Sequence, residues 1–78
     1  MKSKKFLIID LKKLFKDQLK INIKSTGKIY DYKEWDSIAN FNLLLAIEKK
    51  FRIKLSSQEF NNLNSYKEIL KVVTKKFK

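Results

Sequence analysis

No proline and a single glycine, Gly27, punctuate this chain of 78 residues. Such scarcity of chain breakers favours helices joined by polar loops over a fold built from many tight turns. From Lys4 to about Lys20 the apolar residues Leu7, Ile8, Leu11, Leu14, Phe15 and Leu19 recur at helical spacing. Lys12, Lys13, Lys16 and Lys20 fill other positions around the turn, which predicts one amphipathic helix. A second helix starts at Asp36-Ser37, where either side chain can accept from the free amides of a first turn, and runs to about Phe51. Ser56-x-x-Glu59 and Ser65-x-x-Glu68 both fit a capping box. The first opens a short helix holding Phe60 and Leu63, and the second a terminal helix with Ile69, Leu70, Val72, Val73 and Phe77.

Residues 21–35 follow a different pattern. Ile21 and Ile23 alternate with polar residues, Ser25-Thr26-Gly27 reads as a turn, and Ile29, Tyr30, Tyr32 and Trp35 carry no helical period. A short strand fits this stretch, yet no partner strand stands out elsewhere. The apolar content favours an ordered loop pinned across the helices. The expectation is one all-α domain over residues 1–78: a four-helix bundle with a short third helix, a long first loop and a solvated, frayed end at Lys75, Lys76 and Lys78.

Composition removes several function classes. Without Cys there is no disulfide, thiolate metal site or cysteine nucleophile, and without His the commonest general base and zinc ligand are missing. The eight carboxylates are dispersed, and no glycine-rich phosphate loop is present. A chain this short also buries only roughly 60–65% of its unfolded surface, too little for a deep preorganised pocket. Neither a catalytic nor a metal site is expected, and the chain does not read as an enzyme.

The longest wholly apolar run, Leu43 to Ile47, is far short of a membrane span. A basic start at Met1-Lys2-Ser3-Lys4-Lys5 precedes Phe6-Leu7-Ile8-Ile9, but Asp10 ends that run before it reaches the length of a signal peptide's apolar region. The expected location is the cytoplasm. Nineteen Lys and Arg against eight Asp and Glu give a net charge of +11, and Arg52 is the sole arginine. A lysine-rich soluble surface accounts for this, and so does an anionic partner such as nucleic acid or a membrane. Planar recognition of phosphate or guanine favours arginine, which counts against nucleic acid.

The helix after Asp36 carries more apolar surface than a small bundle needs. Leu43, Leu44, Ile47 and Phe51 make one stripe, while Ile38, Phe41 and Leu45 make a second at i, i+3 and i+7. Either the loop of residues 21–35 covers the second stripe, or the stripe is a docking patch. Ser37 beside it reads first as a helix cap. If Asp36 caps alone, however, the Ser37 hydroxyl is free where a phosphate ester would meet the positive end of the helix dipole.

Asp36-Ser37-Ile38, then Leu43-Leu44-Leu45-Ala46-Ile47-Glu48, then Phe51-x-Ile53 resembles the acyl carrier protein family, in its attachment motif and the recognition helix behind it. The Trp35-Asp36-Ser37 form is similar to the variant of pathway-dedicated carriers, and the resemblance covers nearly the whole chain. It implies that Ser37 receives 4′-phosphopantetheine from coenzyme A through a separate phosphopantetheinyl transferase, and that the thiol so acquired carries acyl or aminoacyl groups as thioesters. It implies that Asp36 orients the transferase, and that Ile38, Phe41, Leu45 and Glu48 dock the enzymes that load and unload the acyl group. It also implies that Tyr30, Leu63 and Ile69 line, with the core stripe, a space for that group. Monomeric behaviour is expected. Ala39, Asn42, Lys49 and Lys50 stand where that family commonly has acids, so a basic docking site on a housekeeping synthase is not the expected partner. The alternative is a small basic helical protein that binds nucleic acid.

Overall fold

The computed structural model describes residues 4–77. Four helices follow one another: α1 (Lys4–Leu19), α2 (Ser37–Phe51), α3 (Ser57–Asn62) and α4 (Tyr66–Lys76). No strand occurs among the described residues, and the all-α expectation holds. Each start has a local cause. Asp36, Ser56 and Ser65 adopt extended backbone and accept from the amides of Ala39, Glu59 and Glu68 respectively. Ser56 and Glu59 complete a reciprocal capping box, with Ser56 N–H donating to Glu59 Oε1 at 2.8 Å.

The ends are less conventional. With glycine almost absent, Lys20 and Arg52 take left-handed backbone at φ 60° and 55° and close α1 and α2. Lys20 N–H donates to Lys16 O, and the Arg52 and Ile53 amides both reach Glu48 O. A left-handed non-glycine residue costs about 1–2 kcal/mol, offset here by the carbonyls it satisfies. At the other end of the chain, Lys75 and Lys76 remain helical rather than frayed, and Lys76 Nζ lies 3.2 Å from Glu59 Oε1. Lys78 and the start Met1-Lys2-Ser3 lie outside the described residues.

One core unites the elements. Leu7, Leu11, Leu14, Phe15 and Leu19 of α1 meet Leu43, Leu44, Ile47 and Phe51 of α2 and Tyr66, Ile69 and Val73 of α4. The short α3 buries no residue fully and covers one side with the half-buried Phe60. The first loop closes the remaining side as expected: Ile21, Ile23 and Trp35 are core residues, and Trp35 meets Phe15 edge to face at 5.0 Å. The loop's extended backbone does find a partner, though no strand. Lys28 forms an isolated antiparallel bridge with Ser65, flanked by Ile29 N–H to Asn64 O at 2.8 Å and Tyr66 N–H to Gly27 O at 3.0 Å. Gly27 is buried in this contact, and a Cβ there would stand 2.7 Å from Ile23 Cδ1. It would also stand 3.1 Å from Lys24 O and from Tyr32 Cε1, so a larger residue would require its neighbours in this buried contact to shift.

Candidate functional site

Trp35, Asp36 and Ser37 carry the chain from the pinned loop into α2, and each does something different. Trp35 is fully buried. Its indole N–H donates to Asn40 Oδ1 at 3.0 Å, and Asn40 Nδ2 donates in turn to Leu63 O at 3.1 Å. This buried pair ties the loop, the first turn of α2 and the end of α3 together beneath the surface. Asp36 is exposed and caps the helix, accepting from Ala39 N–H at 2.8 Å through Oδ1. Ser37 is therefore the first helical residue and not the cap, and it is exposed. The Asp36 carboxylate takes Ala39 N–H and Asn40 N–H returns to Asp36 O, while the amides of Ser37 and Ile38 have no acceptor among the described residues.

Tyr30 reaches this hydroxyl from the loop. The Tyr30 hydroxyl and Ser37 Oγ form a hydrogen bond in which either can donate. Tyr30 sits at φ 73°, in the left-handed region, and its N–H donates to Trp35 O at 2.8 Å. It is 67% exposed, which corrects the expectation that it lines an interior space with Leu43, Leu44, Leu63 and Ile69. Those four are core residues packed without it, and Leu43, Leu44 and Ile69 are fully buried. The space beside Ser37 is instead a shallow cavity of about 230 Å³ between α2 and α3, lined by Ile29, Ser37, Asn40, Phe41, Phe60, Asn61 and Asn64. Phe41 and Phe60 form its apolar wall, with ring centroids 5.3 Å apart.

The second stripe of α2 is not covered by the loop. Ile38 is 75% exposed, Phe41 52% and Leu45 42%, in line along the helix from Ser37. Glu48 is arranged differently. Its Oε2 accepts from Leu55 N–H at 2.7 Å, so the carboxylate closes the connection from α2 to α3. The three acids Asp31, Glu34 and Asp36 make the stretch before α2 the most acidic part of a basic chain. Asp31 Oδ2 also accepts from Lys28 N–H at 2.9 Å.

Asn40 and the contact of Tyr30 with Ser37 were missed in the sequence. Asn40 had a signal: it precedes Leu43, Leu44, Ile47 and Phe51 on the core stripe, where a polar residue needs buried partners. Tyr30 had none, since its reach to Ser37 depends on a left-handed aromatic residue that local preference disfavours. No protein-family model, curated protein or solved structure matches this chain.

Proposed function

We propose that this chain is a carrier protein of the acyl-carrier type, holding acyl or aminoacyl groups as thioesters on a 4′-phosphopantetheine arm esterified to Ser37. One observation carries the reading. Asp36 alone caps α2, so an exposed serine hydroxyl stands at the positive end of the helix without a capping duty. The surroundings suit a phosphodiester: the Ser37 and Ile38 amides are open to its oxygens, and the helix dipole favours its negative charge. Once attached, the arm supplies the thiol that a cysteine-free chain lacks. Tyr30 holds the free hydroxyl until it is modified and must release it then.

Ile38, Phe41 and Leu45 form the docking stripe for a phosphopantetheinyl transferase and for the enzymes that load and unload the group, while Asp36 marks the serine for the transferase. The catalysts are those partners, not this chain. With Lys49 and Lys50 exposed in the last turn of α2, docking here is chiefly apolar. The cavity beside Ser37 is small and partly polar, and it suits a short cargo such as a hydroxy acid or an amino acid better than a long acyl chain.

Intact-mass measurement after co-expression with a phosphopantetheinyl transferase tests the reading. The expected result is the gain of one phosphopantetheinyl group, lost in Ser37→Ala and kept in Thr74→Ala. A chain left unmodified by several transferases of different specificity overturns it.

A further inference from the structure

The lysines of this chain do not all have the same explanation. Lys16, Lys49, Lys50, Lys75 and Lys76 lie in last turns, where positive charge complements the helix dipole. Lys5 lies in the first turn of α1, where the dipole opposes it and no acid compensates. At 3.6 residues per turn, Lys5, Ile9, Lys12, Lys13 and Lys16 fall in one arc of about 100° on the side of α1 turned away from Leu11. All five are exposed, while Leu11 is fully buried. Ile9 stands in the middle of this arc at 57% exposure, and the exposed Phe6 borders it. Asp10 and Asp17 lie together beyond that border, outside the basic arc.

From this face we infer that the chain binds anionic lipid surfaces through α1. Lysines surrounding an apolar residue suit a bilayer on two counts. The charges meet the diffuse negative potential of the headgroups, and Ile9 and Phe6 enter the acyl boundary between them. A duplex would use the charges but gain nothing from an isoleucine at the centre, and lysine gives point attraction rather than the bidentate contacts of arginine. The inference stands apart from the carrier reading, since none of its residues belongs to the Ser37 site.

Sedimentation with vesicles of phosphatidylcholine alone and of phosphatidylcholine mixed with phosphatidylserine provides the test, on the full chain. The expected result is binding to the mixed vesicles, release by high salt, and no binding to phosphatidylcholine. Each α1 lysine removed lowers partitioning by about fivefold, so Lys13→Gln with Lys16→Gln lowers it by about 25-fold. Ile9→Ser lowers it several-fold and leaves the salt dependence unchanged. Lys71→Gln with Lys75→Gln, an equal loss of charge on exposed positions of α4, stays within about twofold of the parent. Far-UV circular dichroism verifies that each variant is helical. Absence of binding to the mixed vesicles overturns the inference, as does an equal loss from the α4 pair. Duplex DNA that displaces the protein from vesicles, together with an indifferent Ile9→Ser, overturns it in favour of nucleic acid.

Discussion

Replacing Asn40 by alanine tests whether the site rests on the buried link beneath it. Trp35 is fully buried and Leu63 nearly so, which leaves water no ready path to the indole N–H or to the Leu63 carbonyl. Asn40 is the partner of both, at 3.0 and 3.1 Å. Each buried group left without a partner costs about 1–3 kcal/mol, so Asn40→Ala, which orphans two, should destabilise the chain by about 2–6 kcal/mol. A chain of this size has a total stability of roughly 4–12 kcal/mol at typical values per residue. The substitution therefore removes a large share of it. Trp35 is the only tryptophan, and its burial makes its fluorescence a direct probe of urea unfolding. With a slope of about 1 kcal/mol/M, the midpoint should fall by about 2–6 M. Trp35→Phe, followed by circular dichroism, removes the donor and leaves Asn40 Oδ1 unpaired, and it completes a double-mutant cycle whose coupling should be about 1 kcal/mol. A fall under about 0.5 kcal/mol for Asn40→Ala, the range of ordinary surface substitutions, would refute the claim that these groups are sealed from solvent.

Two further outcomes follow from titratable groups. The Ser56 amide, together with Lys76, holds the Glu59 carboxyl below its ordinary value against a smaller opposing effect of burial. Its stabilising contribution is present above the unfolded value of about 4.3 and is lost as pH falls through the folded value; Glu59→Gln should flatten the acid limb of stability against pH, measured by urea titration, and an unchanged limb would count against the capping box as its source. Burial pushes the Tyr66 phenol up, and its hydroxyl has no hydrogen-bond partner among the described residues. Stability should therefore fall above about pH 10, where the unfolded phenol ionises first. Tyr66→Phe should abolish that part of the loss and leave stability at neutral pH unchanged or raised by up to about 1 kcal/mol; a loss of more than that would reveal a partner for the hydroxyl.

What could be read in the sequence was local. The starts of α2, α3 and α4 were legible because a cap and its amide lie within three residues of each other. The two stripes of α2 were legible because helical period alone separates Leu43, Leu44 and Ile47 from Ile38, Phe41 and Leu45. Sequence could not decide whether the loop covers the second stripe. That depended on where residues 27–29 find their backbone partners, and they find them at 64–66, across the molecule. The same non-locality hid the link from Trp35 through Asn40 to Leu63. Glu48 shows the same non-locality: its place on the helix matched a docking position, and its carboxylate also accepts from Leu55 N–H across the turn towards α3. Tyr30 was placed in an interior space by the family resemblance, while its left-handed backbone and exposure set it outside, against Ser37.

The two proposed surfaces constrain each other through distance and charge. Gln18 and Leu19, at the end of α1, share a surface depression with Asp36 and Ile38, so α2 begins near the far end of α1 from Ile9. Ten residues at a rise of 1.5 Å place Leu19 about 15 Å along the helix from Ile9. The Debye length at physiological ionic strength is about 8 Å, and the acids Asp31, Glu34 and Asp36 would then be largely screened from a negative surface that holds Ile9. Closer approach would bring those acids against the headgroups and be resisted. The basic arc itself runs on to Lys16, only about 4.5 Å along the helix from Leu19. A chain seated by the whole arc would therefore feel this repulsion at its Lys16 end and should settle with the Lys5 end closer to the lipid. On the proposed carrier reading, that tilt would help to keep Ser37 open to soluble enzymes while the chain is bound.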